Sequence, residues 1–98
     1  MKTQRFGVEI ELTGITRRDA AKLIADYFGT TSTYEGTGYN KYSALDRNGR
    51  KWTAMYDSSI DARDKNDNRL SDEYKCELVT PILGWDDIET LQEIVRLL

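Results

Sequence analysis

Residues 39–57 read YNKYSALDRNGRKWTAMYD, and this stretch decides the fold class. Two strand-like runs, residues 39–45 and 51–57, flank a pentapeptide that contains the dipeptide Asn48-Gly49. Asn-Gly between two such runs is a strong local signal for a β-hairpin, because both residues tolerate the positive φ angles of a tight turn. The stretch therefore predicts an antiparallel strand pair in the middle of the chain.

Two further strands are predicted, one on each side of this hairpin. Residues 5–13 alternate between apolar side chains and a set that contains Glu9 and Glu11, which is the period-two pattern of a strand with one buried face. Residues 74–80 alternate in the same way, with Glu77 on the side opposite the apolar set. Both strands are expected to present acidic side chains on their exposed face.

A helix is predicted over residues 17–28. Its apolar side chains recur at helical spacing, Thr16 and Asp19 resemble a capping pair, and Gly29 supplies a C-terminal stop. The polar, glycine-bearing residues 30–38 that follow are predicted to form a loop with room for a short strand.

A second helix is predicted at the end of the sequence. Asp86 and Glu89 are expected to form its capping box. Its apolar residues form one stripe: Ile88, Leu91, Ile94, Val95 and Leu98. The helix reaches Leu98 while still apolar and without a C-terminal cap, so we expect either that the chain continues or that the stripe supports self-association.

The predicted order of elements is β-α-β-β-β-α, within a single domain that spans residues 1–98. A hairpin followed by a third strand favours an antiparallel or mixed β-sheet with the two helices packed on one face, which is an α+β architecture. Residues 58–73 combine mixed charge with few apolar side chains and are predicted to form a mobile surface loop. The aromatic residues expected in the core are Trp52, Tyr56 and Trp85.

The composition excludes several kinds of chemistry. The chain has no histidine, which excludes a Ser–His–Asp triad, a Cys–His dyad and a His-ligated zinc site supplied by this chain alone. Its 14 Lys and Arg against 17 Asp and Glu give a net charge of −3, which argues against binding to nucleic acid or to an anionic membrane. The single cysteine, Cys76, cannot form an internal disulfide, so a reducing, cytoplasmic location is predicted.

Glu9, Glu11 and Glu77 form the sharpest chemical feature. Alternate residues of a strand point to the same side, so the three carboxylates converge if both strands lie in one sheet. Carboxylates held close together repel one another, and a divalent cation that also binds substrate phosphates removes the penalty. The alternative is a solvated face on which these residues pair with Lys51 or Lys75. The residues alone leave both interpretations open.

Other candidates carry weaker signals. Asp57 and Ser59, at a predicted strand end, place a carboxylate and a hydroxyl beside such a site, although both residue types are common in loops. Residues 64–68 resemble the start of a calcium-binding EF-hand loop. That reading is rejected, because Arg69 stands where the glycine is required and Lys75 where the bidentate glutamate is required.

Three segments occur in the order in which they occur in the amidoligase family. They are residues 6–12 (FGVEIEL), Trp52 with residues 57–60 (DSSI), and residues 76–83 (CELVTPIL). On these motifs the chain resembles the amidoligases, which are carboxylate–amine ligases related to glutamate–cysteine ligase and glutamine synthetase. The resemblance implies ATP-dependent amide formation through an acyl phosphate, with Mg²⁺ or Mn²⁺ held on an antiparallel sheet. Phosphoryl transfer of this kind needs positioning and charge neutralisation rather than histidine.

The resemblance also implies roles for individual residues. They are metal ligation by Glu9 and Glu11, a further metal or substrate contact by Glu77, and a place in the catalytic site for Asp57 and Ser59. Lys51 and Lys75 are predicted to bind the cofactor, because lysines beside three carboxylates suit a metal–phosphate site. The implied partners are ATP, a carboxylate substrate and an amine substrate. Ser58 stands where the family pattern often has glycine. Because family members are longer, residues 1–98 are predicted to be an N-terminal portion of an amidoligase that lacks ligase activity by itself.

Two other classes of function stay open on the sequence. One is a non-enzymatic binding module whose sheet face or last helix docks a partner protein. The other is a structural domain that self-associates through the apolar helix stripe. The arrangement of the three glutamates discriminates between the classes. A cluster within reach of one cation favours the enzyme, whereas carboxylates scattered across faces or fully paired with Lys and Arg favour the alternatives.

Overall fold

A computed structural model describes residues 5–36 and 38–98 of the chain. The fold is α+β, with antiparallel sheets and two helices, as predicted. The strands and helices are β1 (Arg5–Phe6), β2 (Glu9–Leu12), α1 (Arg17–Phe28), β3 (Ser32–Gly36), β4 (Lys41–Leu45), β5 (Lys51–Tyr56), β6 (Cys76–Val79), β7 (Leu83–Gly84) and α2 (Ile88–Leu97). The order therefore contains more strands than the predicted β-α-β-β-β-α.

Five of the strands form one antiparallel sheet in the order β2-β6-β5-β4-β3. The predicted hairpin is its central unit, with Ala44 of β4 opposite Trp52 of β5. Its loop is closed by a backbone hydrogen bond of 2.9 Å from the Asp46 N–H to the Arg50 carbonyl, and Gly49 has a φ of 75°. A residue with a side chain is strained at such a φ, so the Asn-Gly signal correctly located this turn.

The single strand predicted over residues 5–13 is wrong, because the chain changes partner within it. β1 pairs with β7 in a separate two-stranded sheet, whereas β2 pairs with β6. At the junction, the Val8 N–H donates to Oγ1 of Thr80 at 3.0 Å, and the Thr80 N–H donates to the Val8 carbonyl at 3.0 Å. The apolar alternation continues through the junction, so periodicity gave no sign of the break.

The helices lie on one face of the five-stranded sheet, as predicted. Ile24 and Phe28 of α1 pack with Trp52 and Leu78 of the sheet, and Ile94 of α2 belongs to the same buried cluster. The Phe28 and Trp52 rings are 5.6 Å apart between centroids. Burial of large apolar side chains such as these is the main source of stability in a domain of this size.

Helix α1 begins and ends where it was predicted to. The Asp19 N–H donates to Oγ1 of Thr16 at 3.2 Å, which satisfies one of the free N–H groups of the first turn. Gly29 ends the helix with a φ of 71° in the left-handed region.

The capping box predicted for the second helix is wrong. A 3-10 turn, Trp85–Asp87, precedes α2, and the carboxylate that accepts a backbone N–H is that of Asp87, which bonds to Gly84 at 2.8 Å. Asp87 also binds Arg50, a partner remote in sequence that local patterns cannot reveal. The N-terminal turn of the helix is therefore organised by a tertiary contact.

Two smaller predictions also need correction. Trp85 is 63% exposed in the 3-10 turn rather than part of the core, whereas Trp52 is 1% exposed, as predicted. The strand predicted over residues 74–80 begins at Cys76, because Tyr74 belongs to a 3-10 turn, Asp72–Tyr74. None of the helices described is long and apolar enough to cross a membrane.

Candidate functional site

The face of the sheet opposite the helices carries the three predicted glutamates. Glu11 lies directly opposite Glu77 in the pairing of β2 with β6, and Glu9 lies opposite Val79. Paired residues of antiparallel strands point to the same face, so the three side chains share one surface. The structure thus brings them together, and their role as metal ligands stays a prediction. We call Glu9, Glu11 and Glu77, with the neighbouring Asp57, the sheet-face cluster.

Glu77 is the electrostatic centre of the sheet-face cluster. Burial raises the pKa of the Glu77 carboxyl group, and the negative charge of Glu9 raises it further. Asp57 and Glu11 act on the same pKa in the same direction. Within the part of the chain that the structure describes, Glu9, Glu11 and Glu77 form no ion pair with Lys or Arg. The cluster therefore holds like charges together without a cation from the described residues.

Asp57 approaches the cluster from the end of β5 and orients Ser59. The Ser59 hydroxyl donates to Oδ1 of Asp57 at 2.6 Å, and the Ser59 N–H donates to the same oxygen at 2.9 Å. These two hydrogen bonds lower the pKa of Asp57. Asp57 consequently remains ionised near neutral pH, and its charge adds to the negative potential around Glu77.

Lys51 is not placed with the glutamates. Its Nζ lies 2.7 Å from Oε1 of Glu35, and this contact lowers the pKa of Glu35. The residue of β5 that lies opposite Glu77 is Met55, which is about 13 Å along the strand from Lys51. The ammonium group of Lys51 thus neutralises a different carboxylate on the sheet.

Lys75 and Ser59 meet at a cleft beside the sheet-face cluster. The cleft has a volume of about 260 Å³ and lies between segment 58–70 and the start of β6. It is lined by Ser58, Ser59, Ile60, Asp61, Ala62, Arg69, Leu70 and Lys75. We call it the loop cleft. The Asp57 N–H donates to the Lys75 carbonyl at 3.3 Å, so the loop cleft and the sheet-face cluster share a backbone junction.

The segment predicted as a mobile surface loop is folded into a closed turn. Ile60 and Ala62 are 4% and 1% exposed, and the Leu70 N–H donates to the Ala62 carbonyl at 2.9 Å. The carboxylate of Asp64 accepts the N–H groups of Asn66 and Asn68 at 2.8 and 3.0 Å. Asp64 therefore caps its own turn, which agrees with the rejection of a calcium loop.

A family model described as "Putative amidoligase enzyme" matches residues 2–98 of the chain. The chain belongs to the amidoligase family. This assignment confirms the resemblance drawn from the three sequence motifs and places the chain in a ligase-type family. No curated protein and no solved structure matches the chain significantly.

The donor chemistry of this amidoligase chain suits a hard divalent cation, although no complete metal cage exists within residues 5–36 and 38–98. Among those residues, no three Asp, Glu or Cys side chains form a group arranged to hold a metal ion. Mg²⁺ usually binds one or two protein carboxylates and completes its shell with water and substrate phosphate oxygens. Glu77, whose carboxyl group interacts with that of Glu9 and whose strand partner is Glu11, fits that mode of binding.

Sequence reasoning missed Arg69 as a candidate functional residue of this amidoligase chain. Arg69 lines the loop cleft, and its backbone pairs with Arg63 in an antiparallel bridge. The available signal was the spacing of Ile60 and Ala62, two apolar residues at a strand-like interval within an otherwise polar stretch. Those two buried residues anchor the segment and place Arg69 beside Lys75.

Proposed function

We propose that this chain forms the cation-binding part of an ATP-dependent carboxylate–amine ligase. In the proposed reaction, the γ-phosphoryl group of ATP passes to an oxygen of the substrate carboxylate and ADP leaves. The amine nitrogen then attacks the acyl carbon, and phosphate leaves as the amide bond forms and the nitrogen loses a proton. Membership of the amidoligase family supports the ligase class.

The proposed cation site rests on one observation. Glu77 lies close to other carboxylates on the face of the five-stranded sheet opposite the helices, and the pKa of its carboxyl group is raised. This arrangement costs folding free energy unless an external cation neutralises it. Glu9, Glu11 and Glu77 are the residues proposed to hold that cation, Mg²⁺ or Mn²⁺. When bound, the cation supplies neutralisation of phosphate charge, which is the main requirement of phosphoryl transfer.

The residues beside the cluster have proposed roles in binding the substrates. Asp57 keeps its negative charge because Ser59 donates two hydrogen bonds to it, so it is suited to accept hydrogen bonds from the N–H groups of the amine substrate and orient it. Lys75 adds positive charge at the loop cleft. Lys51 is left out of the proposed site, because its ammonium group is held by Glu35.

The proposal includes the expectation that residues 1–98 supply only part of a ligase site. The described residues contain no complete metal cage. We expect no ATP-dependent amide formation by this chain alone. Measured amide formation that requires both ATP and an amine would contradict that expectation.

The binding-module alternative is less well supported by the geometry. It requires the glutamates to be scattered or neutralised by Lys and Arg. In the described part of the chain they share one face and lack such ion pairs.

The cation proposal is tested by titrating Mg²⁺ into the ¹⁵N-labelled chain, with and without ATP, while following amide chemical shifts. We expect shifts confined to residues 9–11 and 75–79 at millimolar Mg²⁺. With Mn²⁺, the same signals should broaden first, because the ion is paramagnetic. Glu77→Gln should weaken binding about tenfold or more, by loss of one charged ligand.

Glu35→Gln is the matched control, because Glu35 is also a strand glutamate but already has a lysine partner. It should leave Mg²⁺ binding within about twofold, since its charge is already neutralised by Lys51. Signals of residues 9–11 and 75–79 that stay unmoved in the unsubstituted chain would remove the main support for the proposal. Equal weakening by the two substitutions would do the same.

A further inference from the structure

We propose that the loop cleft is a binding site for a small oxyanion, a carboxylate or phosphate group of a substrate, and that Arg69 is its principal recognition residue. The inference deepens the proposed function and rests on it in one respect, namely that the anion is expected to belong to a substrate of the ligase. The cation site on the sheet face and this anion site are separate and can be tested separately.

The walls of the loop cleft are held in place by contacts within the chain. Buried Ile60 and Ala62 fix one wall against the domain, and the hydrogen bond from Leu70 to Ala62 ties the other wall to it. The Asp64 carboxylate closes the turn that joins the two walls. A site that is pre-organised in this way loses little conformational entropy when a ligand binds.

The charges around the cleft leave Arg69 without a partner. Its guanidinium group forms no hydrogen bond or ion pair within residues 5–36 and 38–98. The one acid in the lining, Asp61, is held instead by Arg63, whose Nε lies 3.0 Å from both carboxylate oxygens. A guanidinium group with a free fork of donors matches the paired oxygens of carboxylate and phosphate groups.

Lys75 adds a second positive charge to the same cleft. Its Nζ lies 3.2 Å from Oδ1 of Asp72, whose side chain is 73% exposed. The Lys75 side chain is itself 25% exposed, but its partner carboxylate lies largely in solvent, which weakens the ion pair and leaves the ammonium group able to bind an anion in the cleft. Ser58 also lines the cleft, and its hydroxyl has no hydrogen-bond partner among the described residues. The lining thus combines two cations with a free hydroxyl donor.

The size and position of the cleft indicate which part of a substrate it takes. The cleft volume of about 260 Å³ lies below the 300–1,000 Å³ typical of pockets that enclose a whole ligand. The cleft therefore fits a terminal anionic group of a substrate rather than the whole molecule. The Asp57–Ser59 pair joins the cleft to the sheet-face cluster. An anionic group held by Arg69 would therefore leave the rest of the substrate next to Glu77.

The inference is tested by titrating inorganic phosphate and, separately, glutarate into the ¹⁵N-labelled chain at constant ionic strength without metal. We expect amide shifts in residues 58–62 and 69–75, and an affinity about tenfold weaker in Arg69→Gln, because a charge-assisted pair is lost. Lys65→Gln is the matched control, since it removes the same charge from the same turn but Lys65 does not line the cleft. It should change the affinity by less than about twofold.

The outcomes of these titrations either support or overturn the anion site. Stronger binding of phosphate assigns the cleft to a nucleotide phosphate, and stronger binding of glutarate assigns it to the carboxylate substrate; both support the inference. Shifts no larger than those with chloride, or equal weakening by Arg69→Gln and Lys65→Gln, overturn it. A dispersed amide spectrum of Arg69→Gln confirms that the variant is folded.

A parallel Mg²⁺ titration separates this inference from the proposed function. Arg69→Gln should bind Mg²⁺ as the unsubstituted chain does. If Mg²⁺ binds the sheet face but neither anion binds the cleft, the inference fails while the proposed function stands. If the anions bind but Mg²⁺ does not, the anion site stands and the cation proposal fails.

Discussion

Two carboxylate clusters in this chain have opposite electrostatic surroundings. In the first, which we call the hairpin cluster, Asp46 and Asp87 share the guanidinium group of Arg50. Its Nε lies 2.8 Å from Asp46, and its two terminal nitrogens lie 2.9 and 2.8 Å from the Asp87 oxygens. Trp52 completes the cluster with a hydrogen bond of 3.1 Å from its indole N–H to Asp46. The sheet-face cluster has no such cation among the described residues.

The pKa directions follow from this difference. The Arg50 guanidinium and the Gly84 N–H lower the pKa of Asp87 to about 2. Burial opposes ionisation of Asp46, but hydrogen bonds from Trp52 and Arg50 keep its pKa below the ordinary value. The pKa of Glu77 is raised instead. Arg50 thus neutralises the carboxylates that join the hairpin to α2, whereas no cation among the described residues neutralises those on the face proposed to bind a cation.

The largest effect on stability is expected when the cation of the hairpin cluster is removed. Arg50→Met leaves the Asp46 side chain, which is 2% exposed, without a positive partner. We expect a loss of about 3 kcal/mol in unfolding free energy, measured by urea denaturation, because an unpaired buried charge is costly. Arg18→Met, at an exposed helix position, should cost less than about 0.5 kcal/mol. Similar losses in the two variants would contradict the role given to Arg50.

A second test uses acid, since the two clusters should respond to pH with opposite signs. The folded pKa of Asp87 lies below its ordinary value of 3.8, so its contribution is present above pH 3.8 and is lost as the pH falls towards about 2. We expect a decrease of about 2 kcal/mol over this range. The pKa of Glu77 is shifted in the opposite direction. Because it is raised in the folded state, the ionised carboxylate lowers the unfolding free energy at higher pH, and protonation removes this destabilisation.

Unfolding free energies measured between pH 2 and pH 7, for the unsubstituted chain and for Arg50→Met, check this prediction. The steep loss below pH 3.8 should be much reduced in the variant, because Asp87 has lost the guanidinium group that lowers its pKa. An unchanged acid dependence in Arg50→Met would show that Arg50 does not control the carboxylates of the hairpin cluster.

A third test gives the sheet-face cluster a cation of its own. Glu11→Lys replaces the carboxylate directly opposite Glu77 with an ammonium group, so a repulsive cross-strand pair becomes an attractive one. We expect a gain of about 1 kcal/mol in unfolding free energy together with loss of Mg²⁺ binding. Retained Mg²⁺ binding in this variant would remove Glu11 from the proposed cation site.

The smallest expected effect on unfolding free energy comes from Glu77→Gln. This substitution removes the charge repulsion between residue 77 and the neighbouring carboxylates but adds no attractive pair. We expect a gain of about 0.5 kcal/mol at pH 7, and none at a pH well below the ordinary pKa of 4.5, where the carboxyl group is protonated in both the folded and the unfolded state. Glu35→Gln should have the opposite sign at pH 7, because Lys51 loses its partner. Destabilisation by Glu77→Gln at pH 7 would show that Glu77 is already neutralised.

Predictions from the sequence succeeded where the signal was local. The pair Thr16 and Asp19 with Gly29 marked the bounds of α1, and Asn48-Gly49 marked the central turn. Alternation was enough to expect Glu9 and Glu11 on one side of their strand and Glu77 opposite the apolar side of another, because side-chain direction in a strand is set by parity. Their meeting on one face depended on the pairing of β2 with β6.

Predictions failed where a partner remote in sequence decides the structure. The break between β1 and β2 depends on Thr80, which lies 72 residues away from Val8. The start of α2 depends on Arg50 binding Asp87, and the placement of Arg69 depends on the burial of Ile60 and Ala62. None of these contacts leaves a periodic or capping signal in the residues themselves.

Residues close together in the sequence, or short motifs, were therefore sufficient to predict the bounds of α1, the hairpin and the family. The shared acidic face and the choice of which carboxylates are neutralised depend on contacts between remote segments. Arg50 reaches two aspartates across the packed domain, whereas Glu77 meets Glu9, Glu11 and Asp57 without a cation among the described residues. Ionic interactions depend on distance in space and on burial, and neither quantity is encoded in the spacing of residues along the chain.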